Sequence, residues 1–176
     1  MREVAKKGTV LVGFHEKRSS FIADMKSCEI LPKRVSDLLV PLRELINSLS
    51  LRKKLPQIEL AVTDEALALV LRVLEKLTAD DEAKLRQFQK DYGVDFWYQP
   101  KGPDSIYPMD PENAARLKLH HRETGVEVVF RPTDFTQVNH RLNEVMVTRA
   151  LRLLHLEPSS KVIDFFCGLG NFTLPL

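Results

Sequence analysis

The stretch Val162–Leu176, VIDFFCGLGNFTLPL, limits what this chain can fold into more than any other. Apolar Val162 and Ile163 run into Asp164, and Gly168 and Gly170 then flank a turn that opens into a further apolar segment. Glycines suit such a turn because the backbone must reverse sharply and lie close to a ligand, which a Cβ would obstruct. The pattern predicts a strand over 161–165, a glycine turn, and the opening of a nucleotide- or cofactor-binding α/β domain. A G-x-G pair lacking the third glycine of the dinucleotide fingerprint is a weak signal. The longer string Asp164–Phe172, DFFCGLGNF, is far more specific.

Upstream the pattern changes. Thr9 to His15 reads as a strand, with a charged turn at Glu16–Ser19 and a return over Ser20–Met25 that ends just before Cys28. Val35, Leu38, Leu39, Leu42, Leu45, Ile46 and Leu49 recur at helical spacing, with Pro41 early in that helix. Ile58–Val62 and Ala66–Val73 read as strands around a Thr63-Asp64-Glu65 turn. Ala79–Tyr92 reads as a charged helix capped by Thr78 and closed by Gly93. Val94–Gln99 is a strand carrying Phe96, Trp97 and Tyr98. Because alternate residues of a strand face opposite ways, at most two of these aromatics can share a surface, and core packing is expected over a base-stacking platform. Lys101–Glu112 is proline-rich and reads as a loop or a hairpin connection. Ala115–His120 and Val126–Phe130 form a hairpin around Thr124-Gly125, and a helix over 139–154 leads through Pro158-Ser159-Ser160 to the last strand. Hairpins with separate helices predict an α+β domain followed by the start of an α/β domain.

The chain is 44% hydrophobic and 28% charged, which suits a soluble protein with one sizeable core. Its net charge of +2 is too small to argue for nucleic acid, but the charge is uneven. Residues 1–60 carry 12 Lys/Arg against 7 Asp/Glu, and the remainder 14 against 17. The basic end includes Arg2, Lys6, Lys7, Lys17, Arg18, Lys33, Arg34 and Arg52-Lys53-Lys54, which could attract phosphates or simply form a solvated face. Two distant cysteines, Cys28 and Cys167, suggest no disulfide framework. With no signal peptide and no long uncharged apolar stretch, a cytoplasmic protein without a membrane partner is expected. The five histidines show no metal-ligand spacing.

Asp164–Phe172 resembles motif I of the S-adenosylmethionine-dependent RNA (uracil-5-)-methyltransferases, whose usual form is D-L-F-C-G-x-G-N-F. Phe130–Asn139, FRPTDFTQVN, is similar to the F-x-Q-V-N element before the methyltransferase domain of that family. Ser27–Pro32, SCEILP, resembles the segment that supplies the last of four cysteines to a [4Fe-4S] cluster in the branch acting on bacterial 23S ribosomal RNA. The resemblance implies an α+β central domain over 1–133 and, over 134–176, the first strand of a truncated Rossmann-like S-adenosylmethionine-dependent methyltransferase domain. It implies cofactor-binding roles for Gln137, Phe166 and Asn171, with Gly168, Gly170 and Asp164 shaping the turn, and makes Cys28 the fourth cluster ligand in the intact protein.

The family's nucleophilic cysteine and general base are expected beyond Leu176, so no catalytic residue is assigned here. Cys167, which matches the cofactor turn, is expected to pack rather than attack. The resemblance further implies S-adenosylmethionine as cofactor, 23S ribosomal RNA as partner, and a monomer that is inactive alone and holds no cluster. The alternatives are an RNA-binding module without cofactor, and a structural fragment that dimerises through an unpaired strand edge.

Overall fold

A computed structural model describes residues 1–4 and 8–176. Two short strands, β1 (Arg2–Val4) and β2 (Thr9–Leu11), pair antiparallel. The hairpin expected over 9–25 is reduced to an isolated bridge between His15 and Ile22 beyond β2. Ile22 is buried at the bridge, but Phe14 and Phe21 beside it are exposed.

The single helix expected over 35–49 is two: α1 (Lys33–Ser36) and α2 (Leu39–Ser48). Proline supplies no N–H for a bond to the carbonyl four residues back. Restarting the helix at Leu39 places Pro41 in the first turn, where that donor would have no intrahelical partner anyway. Leu39, Leu42, Leu45 and Ile46 form the buried stripe of α2.

Four strands make the main sheet, in the order β3 (Ile58–Val62), β4 (Leu67–Arg72), β5 (Asp95–Gln99) and β6 (Tyr107–Pro108). β4 and β5 run parallel, with Val70 opposite Trp97, joined through helix α3 (Ala79–Tyr92); the other two pairings are antiparallel. The sheet is therefore mixed: β3–β4 is the hairpin expected, β5 and β6 pair antiparallel across the proline-rich connection, and the parallel β4–β5 pairing between them was not expected. Leu67 to Leu71 reads as an unbroken apolar run because β4 is covered on both faces, as a parallel pair requires. On one face Leu67, Leu69, Leu71, Phe96 and Tyr98 pack with α2 and with Leu85 and Phe88 of α3. On the other, Ala68, Val70 and Trp97 pack against a hairpin of β7 (Lys118–His121) and β8 (Val126–Val129). The aromatic triplet is thus core, each ring under 6% exposed, and offers no stacking platform.

Helix α3 matches its expected span. Thr78 Oγ1 accepts the Asp81 N–H at 3.1 Å, and Gly93 closes the helix with φ 62°. The last helix, α4 (His140–Leu154), begins at Asn139, whose side chain accepts the Leu142 N–H at 3.0 Å. It lies on the hairpin side of the sheet, where Glu144 accepts the Arg122 N–H at 2.8 Å and Arg152 pairs with Glu123 at 2.9 Å.

No strand forms over 161–165. Ile163 and Phe165 are exposed, and among the described residues no neighbouring strand accepts this segment; a buried parallel strand exists only through such neighbours. The unpaired edge that would have supported dimerisation through this strand is likewise not present.

Candidate cofactor cavity

After the extended segment the chain turns at Cys167–Gly170, where the Gly170 N–H donates to the Cys167 carbonyl at 2.9 Å. Gly168 takes φ 57° and Gly170 φ 83°, values that disfavour any residue with a Cβ. At Gly170 a Cβ would also stand 2.8 Å from Leu174 Cγ. The Leu174 N–H then donates to the Gly170 carbonyl at 2.9 Å, so a single helical turn follows the glycines. Asp164 braces this turn from behind, its carboxylate accepting the Thr173 hydroxyl at 2.5 Å.

A cavity of ≈ 350 Å³ lies between the turn, the loop before α4 and Leu119 and Val128 of the β7–β8 hairpin. Gln137, Phe166, Gly168 and Asn171 all line it, with Leu119 and Val128 supplying apolar wall from the hairpin. Four of the six residues singled out for the cofactor thus meet at one hollow. Asp164 and Gly170 stand behind it, shaping the turn. Phe166 combines a fully exposed ring with φ 63°, a backbone region costly for a bulky residue and a recurrent mark of functional sites. Cys167 is exposed at the cavity rather than packed in the turn, because among the described residues no layer covers that side.

One residue of the site carried no motif. Asn143 of α4 is buried, and its Nδ2 donates to Asn171 Oδ1 at 2.7 Å while Asn171 Nδ2 donates back to Asn143 Oδ1 at 2.9 Å. Its signal in the sequence was an asparagine four residues before Val147, on the stripe of α4 that proves to be buried.

The chemistry of the lining suits S-adenosylmethionine. Two carboxamides can meet an amino acid's carboxylate and ammonium, an aromatic ring and aliphatic walls can take apolar parts, and the glycine turn lets backbone approach closely. A [4Fe-4S] cluster does not fit the donors of this chain. Four thiolates are required, the chain has two cysteines, and no group of three or more metal-binding side chains occurs among the described residues. Cys28 is half-buried, its N–H donating to Ser36 Oγ at 2.8 Å, and α1 is fixed in turn by Arg34, which donates to the carbonyls of Thr63 and Ala66.

The basic residues are largely engaged locally. Lys33 pairs with Asp37 at 2.6 Å, Arg43 with Asp24 at 2.7 Å and Lys54 with Glu75 at 2.7 Å, whereas Lys17 and Arg18 stand on an exposed turn. Lys6 and Lys7 lie outside the described residues. Beside the cavity, His121 and His140 gather with Asp64 and Glu144. Burial holds the His140 imidazole below its ordinary pKa, against the opposing pull of Asp64. Among the described residues no helix is long and apolar enough to cross a membrane.

The sequence profile of the family described as tRNA (Uracil-5-)-methyltransferase matches residues 12–176. The 23S rRNA (uracil(1939)-C(5))-methyltransferase RlmD of Cupriavidus necator is 58% identical over the whole of this chain and 40% of its own length. The enzymes of the same name from Burkholderia lata and Ralstonia pickettii are 59% and 56% identical, again over all of this chain and over 38% and 39% of theirs. The chain therefore spans about 40% of the length of the curated relatives it matches.

Proposed function

Because this chain belongs to the tRNA (uracil-5-)-methyltransferase family, we propose that it is part of an enzyme that methylates C5 of a uridine in 23S ribosomal RNA, and that its own contribution is the opening of the S-adenosylmethionine site. The observation that carries this reading is the convergence of Gln137, Phe166, Gly168 and Asn171 on one cavity, from two motif segments about thirty residues apart in the chain. When bound, S-adenosylmethionine supplies an electrophilic methyl group. The work of this chain is binding and orientation. The Gln137 and Asn171 carboxamides hold the polar end of the ligand, the Phe166 ring shields an apolar part from water, and the Gly168 backbone allows close approach.

Methylation at C5 also requires a thiolate to add at C6 of the uracil ring and a base to remove the C5 proton. Neither role is assigned to a residue of this chain, and the chain alone is expected to be inactive. Cys167 serves the cavity wall. In the larger protein Cys28 would contribute one thiolate to a [4Fe-4S] cluster. The basic turn at Lys17 and Arg18 is a candidate RNA contact.

Titration with S-adenosylhomocysteine, followed by NMR at Gln137, Phe166 and Asn171, tests the reading. Saturable shifts confined to these residues and their neighbours are expected. Salt-sensitive RNA binding with no response to the nucleoside would instead favour a binding module without cofactor.

A further inference from the structure

We propose that Asn143 is a positioning residue for this cavity, fixing the orientation of the Asn171 carboxamide that the ligand meets; the inference rests on the cavity's being the S-adenosylmethionine site. A carboxamide carries two N–H donors and two acceptor lone pairs. The reciprocal pair uses one of each on both residues, at 2.7 and 2.9 Å. Turning the Asn171 amide end for end would set nitrogen against nitrogen and oxygen against oxygen. The pair therefore fixes the plane of a group whose terminal torsion is otherwise broad and two-fold, and ties its sense to that of Asn143. One N–H and one lone pair of Asn171 remain for a ligand.

The two partners differ in how firmly they are held. Asn171 belongs to a glycine turn that is mostly exposed, whereas Asn143 is buried on α4, one turn before buried Val147. That helix is tied to the β7–β8 hairpin through Glu144 and Arg152. The pairing lends the rigidity of the helix to the turn, joining residues 28 apart in the chain. It also runs in the other direction: were the turn to move away, two buried polar groups of Asn143 would lose their partners, so α4 itself favours the turn's closed position.

Asn143→Asp provides a test that a merely structural role would not pass. An ionised carboxylate accepts the Asn171 N–H but cannot donate to its oxygen; a neutral carboxyl restores donor and acceptor in the same plane. S-adenosylhomocysteine affinity of N143D is expected to fall about tenfold at neutral pH, the loss of one oriented hydrogen bond, and to recover as the pH falls toward the raised pKa of a buried carboxyl. His120, His121 and His140, with Asp64, Glu144, Lys118, Arg122 and Arg141, line the space beside Asn143, and wild type titrated in parallel removes their contribution. Asn143→Leu, checked for folding by its melting curve, should lose a similar factor with no recovery at low pH, and the Asn171 side-chain amide signals should move. If wild type binds while both variants bind equally well and N143D shows no pH dependence of its own, the positioning role is overturned. If wild type shows no saturable binding, the cofactor reading fails and takes this proposal with it.

Discussion

The backbone N–H and the hydroxyl of Ser50 both donate to one carboxylate, that of Asp81, at 2.8 and 2.5 Å. Asp81 is fully buried in the first turn of α3, so this junction locks the segment after α2 to the helix that crosses between the parallel strands. Burial alone would raise the carboxyl's pKa, but the bonds from Ser50 and Thr78 together hold it below its ordinary value. A depressed folded value means that the stabilisation is present in full above the unfolded pKa of about 4 and is lost as the pH falls through the folded one. Asp81→Ala should cost about 1–3 kcal/mol in urea denaturation at neutral pH, with the gap to wild type closing in acid.

Asp95 titrates the other way. Burial raises its pKa, opposed by the Arg116 guanidinium at 2.7 Å. With a raised folded value, stability declines as the pH rises from the unfolded pKa through the folded one. Arg116→Met removes the guanidinium that pairs with a carboxylate that is nearly fully buried. It should destabilise the protein by about 1–3 kcal/mol at neutral pH, less than a wholly buried pair would lose because Arg116 is half exposed. The deficit should shrink as the pH is lowered and Asp95 takes up its proton, which denaturation curves across the acid range would show.

Gly170→Ala combines a left-handed backbone with a Cβ 2.8 Å from Leu174 Cγ. The backbone term alone is about 1–2 kcal/mol. Because the turn projects from the core, the effect is expected locally, as faster amide hydrogen exchange at Leu174 and weaker S-adenosylhomocysteine binding, while the unfolding midpoint moves little. A variant with unchanged exchange at Leu174 would contradict this geometry.

Phe166 should separate stability from binding. Replacing it with glycine relieves about 1 kcal/mol of backbone strain at φ 63° and removes a ring that buries nothing in this chain. Phe166→Gly should therefore melt no lower than wild type and bind S-adenosylhomocysteine more weakly. Phe166→Ala keeps the strain and loses the ring, so it should match the glycine variant in affinity and fall below it in stability.

Where a rule is local, the sequence was readable. The span of α3, the Thr78 cap, the Gly93 closure and strand β3 all follow from signals within a few residues of one another, and so does the motif that led to Gln137, Phe166 and Asn171. The pairing of β4 with β5 depends on a helix-long crossover, and β6 on the neighbour it meets, so neither could be read along the chain. The strand expected over 161–165 shows the same limit from the opposite side: Val162 and Ile163 have the propensity, but a strand in a parallel sheet is a property of its neighbours. The break before α2 was half legible, since Pro41 announced a disturbance while only the restart at Leu39 showed how it is absorbed. Asn143 escaped because a buried asparagine on a helix declares itself only when its partner is in view.

Strand β6 is two residues long, and one of them, Pro108, faces Trp97 across the ladder. Proline brings no N–H, so the outer margin of the main sheet offers an incoming chain almost nothing to zip onto. The sheet is finished on that side by chemistry rather than by a covering layer. Crowded solutions of this protein should accordingly be spared fibre growth from the β6 margin, and a Pro108 replacement with strong strand propensity would be the place where that immunity lapses.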